Sequence, residues 1–247
     1  MQLFGNLKDI KPELEKTWRG RVFLTFDIDW AHDHVLNDTL DLVQKANVST
    51  TWFVTHSTPF ITRLRLNPTV ELGVHPNFNF LLDGKVNDIR ADSPRCVHDI
   101  MDDIKGIVPE AKSLRSHSLT QSERLVDSFR DFGITHLSNT FLPHGAGLKT
   151  KPFDLWDETI VVPHCWQDNV SLRMSLNFPN IGESSLELIV INFHPIHIFL
   201  NTENLERYEN TRNMHHDPEQ LIKLRNKGYG IRSQFIELLS LSQKNLS

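Results

Sequence analysis

A chain of 247 residues, 39% hydrophobic and 23% charged, has an ordinary globular composition and enough length to bury a sizeable core. Its net charge of −5 argues against a nucleic-acid backbone as its main partner. No apolar run is long enough to span a bilayer, and the two distant cysteines, Cys96 and Cys165, give neither a disulfide framework nor a Cys-rich zinc motif.

The start, "MQLFGNLKDIKPELEKTWRGR", is charged and interrupted, without the apolar segment of a secretory signal, so a cytoplasmic protein is expected. "RVFLTFDID" then reads as a strand and "HVLNDTLDLVQKAN" as a helix, with Leu36, Leu40 and Val43 on one face. "STTWFVT" is a second strand, followed by a short helix around "FITRLRL" and a third strand, "VELGVH". "SPRCVHDIMDDIKGIV" is a helix starting at a capping Ser93–Pro94 pair. "KSLRSH" is a short strand, and "TQSERLVDSFRDFG" a helix closed by Gly133. "ITHLSNT", "ETIVVPHCW" and "LELIVINFHPI" are further strands, and a polar loop leads to a helical segment around "IRSQFIELLSL". One domain over residues 1–247 follows, with a core at about 20–200 and a C-terminal helical segment at about 217–244. Alternating strands and helices call for a largely parallel sheet or barrel.

Polar residues gather at the predicted strand ends: Asp27 and Asp29, His75, Arg115 and His117, His164, then His194 and His197. One such histidine is an ordinary structural residue, but five strand ends converging on one rim favour a site. The 13 histidines are also unusual, since His is the commonest metal ligand. In "FLTFDIDWAHDH", strand alternation turns Asp27 and Asp29 to the same face, so one carboxylate can ligate a cation while its neighbour stays free as a base. Asp27 can equally orient a histidine. In "ELGVHPNFN", His75 and Asn79 stand four apart, the spacing of paired ligands on a helical turn.

Taken in order, "LTFDID", "TTWFV", "ELGVHPNFN", "SLRSH" and "NFHPIHIFLN" resemble the polysaccharide deacetylases (carbohydrate esterase family 4, NodB homology domain). The likeness covers roughly residues 20 to 200 and is strongest to the branch associated with O-antigen and capsule biosynthesis. It implies a deformed (β/α) barrel of seven or eight largely parallel strands and a divalent metal, zinc above all. By the same resemblance Asp27 matches the catalytic base, Asp29 the metal-binding aspartate, His75 the first metal histidine, Arg115 the partner of the base and His194 the acid. This chain departs from the pattern. Ile28 splits the aspartate pair, Asn79 replaces the second metal histidine, His117 replaces a proline, and Asn192 stands where an apolar residue is usual. His117 can supply the missing imidazole, with Asn79 as a further oxygen ligand or water-holder; otherwise His117 binds substrate and the metal is weak or absent. Trp166 and Asp168 lie near the places of a substrate-facing aromatic and an acid that tunes the late histidine. His197 is turned away by strict alternation, and His215–His216 read as solvated.

The implied reaction is hydrolysis of the N-acetyl group of a sugar precursor, with no nucleic acid and no membrane span involved. A silent carbohydrate-binding relative is the alternative. A haloacid dehalogenase-type phosphatase is a third reading, resting on Asp27-x-Asp29 and the acidic pair Asp157–Glu158.

Overall fold

The computed structural model describes residues 2–82, 96–181 and 187–244. Along the chain come β1 (Phe4–Gly5), β2 (Val22–Asp27), α1 (Asp33–Ala46), β3 (Thr50–Val54), α2 (Phe60–Arg65), β4 (Val70–Val74), α3 (Asn79–Leu82) and α4 (Val97–Ile107). There follow β5 (Ser113–Leu114), α5 (Glu123–Asp131), β6 (His136–Leu137), β7 (Phe153–Asp154), β8 (Ile160–Val161), β9 (Trp166–Gln167) and α6 (Asp168–Met174). The chain closes with β10 (Ile189–Phe193), α7 (Pro195–Leu200), α8 (Leu205–Thr211), α9 (Pro218–Lys223) and α10 (Ile231–Lys244).

The strands form one ten-stranded sheet, ordered β7-β8-β6-β5-β4-β3-β2-β10-β9, with β1 beside the start of β2. Every pairing is parallel except β7 with β8, and the sheet curls into an open, deformed barrel. The count exceeds the expected seven or eight because two-residue pieces, β1, β7 and β9, extend it.

Period-2 alternation sorts the side chains between two layers. Val22, Leu24 and Phe26 of β2, Trp52 and Val54 of β3, and Ile189, Ile191 and Phe193 of β10 face the helices and join the main core. Phe23, Phe53 and Val190 face inward and meet Leu7, Ile10 and Trp18 of the N-terminal segment, which plug one end. Between plug and rim the interior is polar, with Thr25, Asp27, Thr51, Glu71, Ser113, Arg115, Ser138 and Asn192 all buried. Such groups are tolerated because they satisfy one another. The Glu71 carboxylate accepts bonds from the Ser113 hydroxyl, the Thr51 hydroxyl (2.8 Å) and the Lys8 backbone N–H (3.1 Å), tying the plug to the sheet. Gly73 is needed for close packing: a Cβ there would lie 2.7 Å from Phe53 Cδ1 and 2.9 Å from the Ser113 carbonyl oxygen. The space goes to the Phe53 ring, which sits under the Arg115 guanidinium at 4.5 Å.

Two expectations need correction. α4 begins at Val97, where the Asp99 carboxylate accepts the Cys96 N–H at 2.7 Å. The proposed Ser93–Pro94 cap lies outside the described residues. The polar stretch after residue 200 holds two helices, α8 capped by Asn204 on the Arg207 N–H (3.0 Å) and α9 capped by Asp217 on the Gln220 N–H (3.1 Å). Both are under two turns, too short for an apolar period to show. No described helix is long and apolar enough to cross a membrane.

Candidate active site

β2 delivers Asp27 to the carboxyl rim, where it is 4% exposed. A bare carboxylate there would be costly, yet each of its oxygens accepts from a buried donor. Arg115 Nη1 lies 3.0 Å from Oδ1, and the Asn192 amide donates to Oδ2 at 2.7 Å. Burial pushes the Asp27 pKa up, but the charges of Arg115, His75 and His194 outweigh it and hold the carboxyl below its usual range. Arg115 is itself fully enclosed. Its Nε donates to the Ser138 carbonyl (3.1 Å), Nη2 to the Ser138 hydroxyl (2.9 Å), and Nη1 also to Thr25 Oγ1 (3.0 Å) and Asn192 Oδ1 (2.5 Å).

Asp29 shares the rim, though not by strand alternation. β2 ends at Asp27, and Asp29 and Trp30 both adopt left-handed backbone, φ 37° and 56°. Such strain in non-glycine residues gathers at functional sites. His75 follows β4 and His117 opens a 3-10 turn after β5. Asp29 Oδ1 lies 3.2 Å from His75 Nε2 and 3.2 Å from His117 Nδ1, and one ligand atom from each residue falls within a 4.8 Å group. His75 Nδ1 donates to the Arg115 carbonyl at 2.6 Å, which turns the Nε2 edge toward the Asp29 carboxylate. One carboxylate oxygen and two imidazole nitrogens so close together fit a divalent metal, and the His75–Arg115 contact is the orienting bond such ligands carry. Burial pushes the Asp29 pKa up, and hydrogen bonds from His117 and His75 bring it well below the usual range.

His75 and Asn79 do not share a helical turn, because α3 begins only at Asn79. The Asn79 amide donates to Ser118 Oγ (3.0 Å) and accepts from Thr120 Oγ1 (2.9 Å), bracing the turn that carries His117.

His194 stands across the rim, its Nε2 3.8 Å from Asp27 Oδ2 and 3.5 Å from Asp29 Oδ2. Asp168 Oδ1 lies 2.6 Å from His194 Nδ1, and Oδ2 accepts the His194 backbone N–H at 2.7 Å. Burial opposes the imidazolium, but Asp168 overcomes it, with Asp29 and Asp27 adding to the effect, and the His194 pKa is pushed up to about 10. These groups floor a groove with two arms. One, about 250 Å³, runs past Trp30, His197 and Tyr208; the other, about 380 Å³, runs past Ser116, His117, Phe141 and Arg173.

The profile of a family described as WbmS-like polysaccharide deacetylase matches residues 24–212. The chain belongs to that family. The crystal structure of WbmS from Bordetella bronchiseptica, a candidate polysaccharide deacetylase involved in O-antigen biosynthesis, is 39% identical with a TM-score of 0.90, covering 98% of each chain. Weaker likenesses are to peptidoglycan deacetylase PdaC from Bacillus subtilis (14% identity, TM-score 0.43, 96% of each chain) and to a carbohydrate esterase family 4 pseudoenzyme from Bacillus anthracis (14%, 0.38, 86% of this chain and 63% of that one). No curated protein matches.

In this WbmS-like chain, Asp27, Asp29, His75, His117 and His194 all line the groove, with Arg115 directly beneath Asp27. His197 lines it too: α7 starts at Pro195, so helical rather than strand geometry aims that ring. His164 is fully buried, held by Gln167 (Nε2 to Oε1, 2.9 Å), and its pKa is pushed down to about 3, by burial first. Trp166 belongs to the main core beside Phe178 and Phe193. His215 and His216 border the first arm, where His215 packs on Tyr208. Asp157 and Glu158 lie in a turn away from the groove, where Asp157 bonds Thr159 and Glu158 pairs with Arg130. With the family membership, that removes the phosphatase reading. Thr25 and Ser138, which with Asn192 complete the Arg115 shell, gave no signal in the sequence beyond their place on the strands, and Asn192 showed only as a departure from an apolar position.

Proposed function

We propose that the protein is a metal-dependent N-deacetylase acting on an N-acetylated sugar of a surface-polysaccharide precursor. The observation that carries this is one carboxylate, Asp27, kept charged by Arg115 and Asn192 between the Asp29–His75–His117 cluster and a histidine that Asp168 keeps protonated. The involvement of the similar Bordetella protein in O-antigen biosynthesis supports the choice of substrate.

A divalent cation held by Asp29, His75 and His117, zinc on the chemistry of that donor set, supplies an acidified water and a polarised acetyl carbonyl when bound. Asp27 takes the proton of the attacking water, and Arg115 keeps it ionised and aimed. Oxygen adds to the acetyl carbon. His194 then gives its Nε2 proton to the amide nitrogen as the C–N bond breaks, leaving acetate and a free amino sugar.

Acetate release from a panel of N-acetylhexosamines, free and nucleotide-linked, tests the reading. Zinc-loaded wild type should release acetate, and Asp27→Asn should not, at unchanged zinc content. A zinc-loaded wild type that binds these sugars without releasing acetate would instead be a silent carbohydrate-binding relative.

A further inference from the structure

The arm of the groove beside His194 is built around a histidine for which the hydrolysis above has no use. His197 is 3% exposed and borders this arm together with Trp30, Leu205 and Tyr208. Its Nδ1 lies 3.2 Å from Thr202 Oγ1. Thr202 Oγ1 also lies 3.4 Å from the His197 carbonyl oxygen, and giving its single proton to that oxygen makes Nδ1 the donor of the pair. Nε2 is then a bare lone pair, and no protein group among the described residues bonds it. Thr202 is fixed in turn. Its carbonyl accepts the Ile231 N–H at 3.0 Å, and a Cβ on the neighbouring Gly230 would lie 2.3 Å from the Asn201 carbonyl oxygen, so only glycine allows α10 to start there.

Two aromatic side chains, Tyr208 and Trp30, face the same arm. The Tyr208 ring packs 4.8 Å from the His197 ring and 4.8 Å from the His215 ring. Trp30, 40% exposed, is presented by its left-handed backbone with its ring 5.2 Å from that of His117. Aromatic faces beside the polar edges of His197, Asn169, Glu209 and His216 suit a ligand that has C–H faces and hydroxyl edges.

We propose that this arm is the subsite for the sugar ring, with His197 Nε2 accepting a hydrogen bond from a ring hydroxyl or amide N–H. Burial above all pushes the His197 pKa down to about 4, so the ring is a neutral acceptor at working pH, suited to a donor and not to an anionic group. His197 is a positioning residue; the choice of ligand class rests on the deacetylase reading.

The test is the dissociation constant of the same panel of N-acetylhexosamines, measured by calorimetry on zinc-loaded Asp27→Asn protein so that turnover is not needed. In that background His197→Phe should weaken the best ligand about two- to twelve-fold, the worth of one neutral hydrogen bond. His197→Gln, whose amide oxygen reaches the place of Nε2, should recover part of the loss. Zinc content and melting temperature should stay near those of the parent. An unchanged affinity in His197→Phe, equal losses in Phe and Gln, or no binding by any panel member would overturn the subsite. Binding that depends on His197, with no acetate release by wild type, would leave the subsite standing and sink the deacetylase reading.

Discussion

Asp168 grips His194 twice, by Oδ1 on the ring nitrogen Nδ1 at 2.6 Å and by Oδ2 on the backbone N–H at 2.7 Å. One contact fixes the imidazole proton and the other fixes the chain that carries it. The Nε2 edge is thus aimed at Asp27 and Asp29, where a leaving amine would stand. Asp168 opens α6 and His194 precedes α7, so neighbouring β9 and β10 bring the pair together.

Asp168→Asn keeps the shape but removes the charge that raises the His194 pKa to about 10. A general acid works below its pKa, so lowering the pKa moves the alkaline loss of activity to lower pH. Turnover at pH 8 should fall, by at most the 10²–10⁴-fold that general acid catalysis is worth. A pH–rate profile of wild type and variant checks this. An alkaline limb that stays in place would refute the coupling.

Arg115 has no exposed surface and bonds Asp27, Thr25, Asn192 and Ser138. Arg115→Met should cost about 3–5 kcal/mol, since it strands a buried carboxylate. For a chain of this size that lowers the melting temperature by roughly 10 °C. Adding Asp27→Leu should restore part of the loss, because the stranded charge is gone. Strictly additive losses in the double variant would show that the pair is uncoupled.

Zinc added to chelator-treated protein should raise the melting temperature, because it binds only the folded arrangement of Asp29, His75 and His117. His75→Ala and His117→Ala should lose most of that rise. Asn79→Ala should retain stoichiometric zinc with weaker affinity, since its amide braces Ser118 and Thr120. Elemental analysis separates the cases. Zinc lost from Asn79→Ala and kept in His117→Ala would exchange their roles.

The buried histidines predict acid sensitivity. Burial pushes His164 down to about 3 and His197 down to about 4, from 6.5 in an unfolded chain. Below pH 6.5 the unfolded chain binds protons that the fold refuses, so stability is full above 6.5 and falls as pH drops toward 4. Each histidine contributes a slope of about 1.4 kcal/mol per pH unit in that window. Urea midpoints of chelated protein between pH 7 and 4 should show a shallower slope for His164→Gln than for wild type. Parallel slopes would mean that His164 takes up its proton in the fold.

The parallel α/β plan was legible because strands and helices alternate and apolar residues repeat at period 2 or 3.6. The rim was legible for the same reason: Asp27, His75, Arg115 and His194 stand at or just beyond the ends of β2, β4, β5 and β10, so strand order alone brings them close. Local periodicity did not reach what turns and distant partners decide. Asp29 faces the cluster through left-handed backbone, His117 through a 3-10 turn braced by Asn79, and His197 through a helix that strand alternation could not foresee. Asn192 looked like a departure from an apolar position, yet it binds both Asp27 and Arg115, 165 and 77 residues away in sequence. Hydrogen bonds of that reach leave no periodic trace in a chain. Only folding sets the donors around Asp27, and those donors decide which carboxylate stays charged and which histidine keeps its proton.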